Sequence, residues 1–410
     1  MKKDIKNICL ISDSYIPQKI SAAGMIYNLS REFINQNINV TCAFSGKINT
    51  DVITNYNISG IHFITTNIFS KLRNKSLIFR FFFEAATAIV LSVKCYFYYR
   101  KKNNLDLIVW YGPSVFLWLV VKSINFSGKI PVYYILRDIF PDWLVSLKVL
   151  KNIFLIKALY FLTNYQYNVS DVIGVETKEN IGYVKRKISK DKKVELLLNW
   201  PNLTKPKNKE LENKTNKNFQ KYIKKLNTSN VISSIYLGNA SVAHDYYSMV
   251  SFLSKLSFQE KSKFEINNFG KLLKNHLLNK LEVKQNFWGM VPEQILPSIF
   301  DKIEFGIVCL NRRSVTHNIP GKFVSYTQHS LPIICFANKD SSLAKLIVKY
   351  RCGIVIDLDL DQKGNIKIYK NFIDNFYKKK KYFSQNSFKL YKNNFDTKNT
   401  VKKILSSIEK

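Results

Sequence analysis

VCLNRRSVTHNIPGKFVSYTQHSLPIICFA, residues Val308–Ala337, decides the fold of this chain. It opens on the end of an apolar run, Glu304–Leu310, that predicts a buried strand. A polar loop leads to Pro320-Gly321-Lys322 and a helical pattern through about Gln328; a second apolar run, Pro332–Ala337, predicts the next strand. Strand, loop, helix and strand in that order are the repeating unit of a parallel α/β sheet. A helix in such a unit starts just past the carboxyl end of a strand, where open α/β sheets place their ligands. Its first backbone N–H groups lack partners, its dipole favours an anion, and Lys322 adds a full positive charge. Pro320 fixes φ where a missing donor does no harm. Two readings stand side by side: a phosphate-bearing ligand on this helix, or a helix start with a solvated lysine.

Composition bounds the rest. At 410 residues the chain is long for one core and predicts two domains. A hydrophobic share of 46% supplies both and excludes disorder. The net charge of +34, from 63 Lys+Arg against 29 Asp+Glu, invites nucleic acid, an anionic membrane surface or a phosphorylated substrate. Lysine, asparagine and isoleucine are heavy throughout, so much of this charge reads as solvated helix face. The aromatic residues lie in apolar helical segments rather than interleaved with lysine, which argues against nucleic acid. The six cysteines (Cys9, Cys42, Cys95, Cys309, Cys335, Cys352) form no CxxC pair and no zinc-like cluster with histidine. They read as small hydrophobes in a reducing cytosol. The opening MKKDIKNICLISDS has an apolar run interrupted too early for a secretory signal.

Leu77–Tyr99 (LIFRFFFEAATAIVLSVKCYFYY) tempts a transmembrane assignment. Arg80, Glu84 and Lys94 lie within it, and each would cost roughly 2.5–3.5 kcal/mol near a bilayer centre. With Thr87 they fall on one narrow stripe of a helix that is otherwise apolar. The expectation is a helix of a soluble fold that also touches a membrane surface.

The remaining chain alternates apolar runs with helical patterns. Ile5–Ser12 predicts the first strand, Ser21–Gly24 opens a helix, and Asn39–Phe44 predicts the second strand. A glycine there allows close approach of a ligand or of a neighbouring backbone. No GxGxxG follows the first strand, so no nicotinamide or flavin cofactor is expected. Val132–Leu136 delivers Arg137-Asp138 to a strand end, and Asp142 reads as the N-cap of a helix around Val149–Leu162. The predicted organisation is an α/β domain over 1–200, a polar linker over 201–230, a second α/β domain over 231–385 and a helical segment over 386–410.

At this point the motifs carry a resemblance. Tyr236-Leu237-Gly238-Asn239 followed by Ala243-His244-Asp245, Trp288-Gly289-Met290-Val291-Pro292, and Ile319-Pro320-Gly321-Lys322 with Tyr326 and Leu331-Pro332 resemble the donor domain of the two-Rossmann (B-type) glycosyltransferases. The likeness is to retaining family four of bacterial polysaccharide synthesis (O-antigen and capsule), and Asn199-Trp200 resembles the end of that family's first domain. The resemblance implies two Rossmann-like domains with parallel sheets facing a cleft. It also implies a nucleotide-sugar donor, a lipid-linked saccharide acceptor, and a cytoplasmic enzyme peripheral on the inner face of the cell membrane.

Residue by residue, it assigns the donor to Gly238, Asn239, Lys322 and Ser325, with Arg312 or Arg313 sharing the charge. His244, at a helix start, meets a phosphate or sugar or else is structural. The catalytic positions are His317 and, from its place at a strand end, Asp138. Ser21, Gly24 and Arg137 fall on the acceptor side. The chain departs from the family where its two glutamates, seven residues apart, are replaced by His317 and Ser325, and where a pyrophosphate arginine is replaced by Val242. Asp138 orients or deprotonates an acceptor hydroxyl, or else pairs with Arg137. Asp357-Leu358-Asp359-Leu360-Asp361 lacks the glycine and the closing acid of a calcium loop and reads as a solvated loop, with no metal expected. A nucleotide-sugar epimerase of the same fold and a basic nucleic-acid binder are the alternatives.

Overall fold

The structure is a computed structural model that describes residues 5–18, 20–46, 48, 60–66, 77–102, 104–112, 114–137, 139–142, 145, 150–202, 231–238, 245–270, 283–291, 295–311 and 319–408. It divides into two units, Met1–Lys207 with Thr397–Lys410, and Asn208–Asp396.

The first unit is built on a seven-stranded sheet, all of whose strand pairs are parallel. The strands are β1 (Asn7–Ile11), β2 (Asn39–Ser45), β3 (Ile61–Thr66), β4 (Leu107–Tyr111), β5 (Val132–Leu136), β6 (Val172–Val175) and β7 (Lys193–Leu196), in the order β3-β2-β1-β4-β5-β6-β7. Every residue of β4 (LIVWY) and β5 (VYYIL) is buried, because helices cover both faces of a parallel sheet and leave no polar side. One face packs on α1 (Ser21–Asn35) through Met25, Leu29 and Phe33. The other packs on α2 (Leu77–Lys102), α3 (Trp118–Ile124), α4 (Ile153–Val169) and α5 (Lys178–Lys185). The last helix of the chain, α13 (Thr397–Ile408), returns to the α1 face with Val401 and Ile404 in its core.

The second unit has a six-stranded parallel sheet of β8 (Ile232–Leu237), β9 (Phe264–Phe269), β10 (Gln285–Gly289), β11 (Phe305–Cys309), β12 (Ile333–Phe336) and β13 (Gly353–Ile356), in the order β10-β9-β8-β11-β12-β13. Its helices are α6 (Tyr246–Ser254), α7 (Phe258–Lys261), α8 (Leu296–Phe300), α9 (Gly321–Gln328), α10 (Ser342–Tyr350), α11 (Gln362–Asp374) and α12 (Phe376–Asn394). The stretch that opened the sequence reading is therefore β11, α9 and β12, in register from Gly306 opposite Ile333 to Cys309 opposite Phe336.

Several local expectations are corrected. The helical pattern of Asn371–Tyr382 belongs to two helices, α11 and α12, broken at Asn375. The helix drawn around Val149–Leu162 starts at Ile153, and Asn152 caps it by accepting from the Phe154 and Leu155 amides. Asp142 is no cap: its carboxylate accepts the Tyr160 hydroxyl at 3.1 Å and that of Tyr183. The Asp357–Asp361 loop is not simply solvated. Asp357 is buried and accepts from the Lys339 and Asp359 amides, while Asp361 caps α11 through the Lys363 and Gly364 amides. All six cysteines are buried and free.

Candidate functional site

The carboxyl ends of β8 and β9 press together backbone to backbone. Gly238 donates its amide to the Phe269 carbonyl at 2.7 Å and holds φ at +100°, where a side chain would be strained. A Cβ on Gly270 would overlap the Gly238 carbonyl oxygen at 2.3 Å. Among the described residues, the open side of Gly238 meets the end of the Lys322 side chain, its ammonium 3.7 Å from where a Cβ would stand.

Lys322 is the second residue of α9, which begins after an extended Pro320 that offers no side-chain cap. Its Nζ lies 4.0 Å from the centre of the Tyr236 ring, at a cation–π distance. The atom is buried and has no hydrogen-bond partner among the described residues. Three strong donors are thus withheld from water and, among the described residues, unsatisfied, which buried polar groups rarely are. Burial pushes the ammonium down from 10.5 to about 8, with Cys309 pulling slightly the other way. At neutral pH the group still carries its proton, so this is a caged cation that an anion would satisfy.

Two further α9 residues frame it. Tyr326 is buried; its hydroxyl accepts the Leu237 amide at 2.8 Å and donates to the Ile235 carbonyl at 3.2 Å, fixing the end of β8 to α9. Ser325 is buried too, and its hydroxyl donates to the Gly321 carbonyl at 3.2 Å, which leaves it only acceptor capacity towards a ligand.

In the first unit, the acceptor-side residues serve the segment that ends it. Gly24 is packed against Asn202: a Cβ there would stand 2.0 Å from the Asn202 carbonyl oxygen. Of the two readings of that glycine, the structure shows the neighbouring backbone. Arg137 is buried, donates to the Leu197 and Leu198 carbonyls at 2.6 and 3.3 Å, and lies 4.8 Å over the Trp200 ring. Trp200 in turn donates to the Met25 carbonyl at 2.7 Å, and Asn28 to that of Pro201 at 2.7 Å. Ser21, the first residue of α1, is exposed. Asp138, Asn239, His244, Arg312 and His317 lie outside the described residues.

The structure therefore joins Gly238 and Lys322, sets Ser325 one turn deeper, and gives Gly24 and Arg137 to an internal clamp. It adds Tyr236, which the motif Tyr236–Asn239 contains without a role, and Gly270. Tyr236 had a signal: it stands two residues before the glycine that ends its strand.

No known family profile matches the chain, and no curated protein matches it in sequence. Solved structures do match, over nearly its whole length. The chain has the fold of the B-type glycosyltransferases. HepE of Anabaena, solved with UDP and glucose, superposes with a TM-score of 0.62 at 12% identity, covering 98% of this chain and 99% of that one. WaaG, a glycosyltransferase of lipopolysaccharide biosynthesis, gives 0.61 at 11% identity with the same coverage of 98% and 99%. Sucrose-phosphate synthase of Thermosynechococcus elongatus gives 0.65 at 10% identity, covering 98% of each chain. In this B-type fold the Lys322 site sits on the second parallel-sheet unit, at strand carboxyl ends, as open α/β sheets require.

Proposed function

We propose that the chain is a glycosyltransferase that moves a sugar from a nucleotide-sugar donor to a lipid-linked saccharide in surface polysaccharide synthesis. The observation that carries this reading is the buried ammonium of Lys322 over Gly238 at the start of α9, which has no hydrogen-bond partner among the described residues. A donor diphosphate supplies the anion that this group lacks. HepE and WaaG support the choice of donor and pathway, through the UDP bound to the first and the lipopolysaccharide role of the second.

In this reading the diphosphate accepts from Lys322 and from the free amides of the α9 N-terminus, assisted by Arg312. Gly238 and Asn239 admit it closely, His244 meets its sugar or phosphate, and the Ser325 hydroxyl accepts from the ribose. As the bond between the anomeric carbon and the phosphate oxygen breaks, charge grows on that oxygen, and Lys322 stabilises it where water is excluded. The acceptor hydroxyl, oriented by Asp138, bonds to the anomeric carbon. If configuration is retained, its proton passes to the departing phosphate, and His317 is taken as the second catalytic residue. The enzyme works in the cytoplasm, peripheral on the inner face of the membrane that holds its acceptor.

Calorimetry with UDP, GDP and ADP on wild type and Lys322→Ala tests the donor site. A nucleoside diphosphate should bind the wild type and bind the variant ~10- to 100-fold more weakly, the loss of one charge-assisted hydrogen bond. Equal affinity would place the phosphates elsewhere. Release of that nucleotide from its sugar conjugate, dependent on an added lipid extract, tests the transfer.

A further inference from the structure

We infer that the first unit seats on an anionic bilayer through a face made of two helices, α2 and α4, and that the start of α4 is its deepest-inserting part. The inference rests on the proposed lipid-linked acceptor and adds how the protein reaches it.

Helix α2 is apolar on two opposite sides. Ala88, Leu91, Cys95 and Tyr99 point into the core of the unit. Phe82, Ile89, Val93 and Phe97 are exposed, and at 100° per residue they fall within ~80° of one another on the far side. The polar stripe seen in the sequence runs along the flank between them, where the Lys94 ammonium donates to the Thr65 carbonyl of β3 at 2.7 Å. A helix of a soluble domain needs one apolar stripe, towards its core. A second stripe facing out calls for a second apolar phase.

Helix α4 repeats the pattern. Leu159, Thr163 and Tyr167 are buried, whereas Phe154 is 81% exposed and Phe161 70% exposed. Phe154, Ala158, Phe161 and Tyr165 form its outer stripe, with Ile153 and Leu155 beside it. Both helices cover the same face of the sheet, with α3 between them. Phe81 of α2, Phe116 and Leu162 of α4 meet in one apolar cluster, and Phe126 joins the patch through a ring contact with Tyr96. Each helix follows a strand, so the starts of α2 and α4, with Phe82 and Phe154, lie at the carboxyl edge of the sheet, the edge where an acceptor is handled.

Charge selects the occupant. The three helices carry seven basic residues against one acidic, Glu84, and Lys151 precedes α4. Two copies of a chain of net charge +34 would bring like charges together on this face, whereas anionic headgroups neutralise them. The inner side of α2 is held in the core, so the helix lies along the surface instead of crossing it.

The test uses the full chain with vesicles of phosphatidylglycerol and phosphatidylethanolamine, and with phosphatidylcholine vesicles as the neutral control. Wild type should sediment with the anionic vesicles and be released by high salt. Phe154→Glu/Phe161→Glu should lower the bound fraction at least tenfold while melting as wild type does, since both side chains face solvent. Unchanged binding by that variant, equal binding to neutral vesicles, or a lipid-free dimer that the variant abolishes would each overturn the inference. Release by detergent alone would also overturn it, because α2 would then have left the sheet to span. UDP binding on the same samples reports separately on the donor site.

Discussion

Replacing Lys322 by methionine should make the protein more stable and less able to bind its donor. The side chain keeps its length and loses its charge. In the folded protein, burial lowers the ammonium from 10.5 to about 8. A shift of that size corresponds to about 3 kcal/mol against folding at pH 7, of which the Tyr236 ring returns about 1. Lys322→Met should therefore gain about 2 kcal/mol, a rise of ~4–8 °C in the melting temperature of a unit this large. The sign fixes a pH window. Between about 8 and 10.5 the unfolded chain holds a proton that the folded chain has lost, so wild-type stability rises with pH across that range. Below pH 8 the full penalty remains, and the variant should show no such rise. A donor diphosphate restores the proton, so UDP binding near pH 8.5 should take up protons in wild type only. Differential scanning fluorimetry from pH 7 to 10 and calorimetry in two buffers of different ionisation enthalpy read both effects. A variant less stable than wild type at pH 7, or one that binds UDP as tightly, would refute the caged-cation argument.

Other substitutions separate positioning from contact. Tyr326→Phe removes the hydroxyl that holds the Leu237 amide and the Ile235 carbonyl, and should cost about 1–2 kcal/mol in urea titration and weaken UDP binding by moving Gly238. Ser325→Ala should cost about 1 kcal/mol of UDP affinity by calorimetry if the hydroxyl accepts from the ribose. Arg137→Leu should destabilise the first unit by ~2–4 kcal/mol, since the Leu197 and Leu198 carbonyls lose their donors, while UDP affinity stays at the wild-type value. Gly24→Ala should lower the melting temperature of the same unit, because its Cβ meets the Asn202 carbonyl.

What could be read in the sequence was what local pattern encodes. LIVWY, VYYIL and FGIVC are uniformly apolar because both faces of a parallel sheet are covered, so each announces its strand without neighbours. The start of α9 was legible for the same reason: proline, glycine and lysine at a helix start have local consequences. Helix α10 and the first turns of α11 are not evident in the sequence although Ser341 and Asp361 cap them; Asp361 stands in an acidic run that reads as a loop. The roles of Gly24 and Arg137 were out of reach. Their partners, Asn202 and the Leu197 and Leu198 carbonyls, lie far along the chain, and only the folded backbone brings them together. The cage around Lys322 is of the same kind, since Tyr236 and Gly238 precede it by more than eighty residues.

The return of α13 to the first unit has a consequence for synthesis. Val401 and Ile404 belong to the core that Leu29 and Phe33 of α1 begin, and Ser407 donates to Glu195 at 2.7 Å. A ribosome releases those residues only after all of Asn208–Asp396 has emerged, so the later unit, contiguous in the chain, can be complete while the earlier one still waits. The unit begun earlier is the one finished later, and a truncation that removes Val401 and Ile404 strikes the core of the first unit.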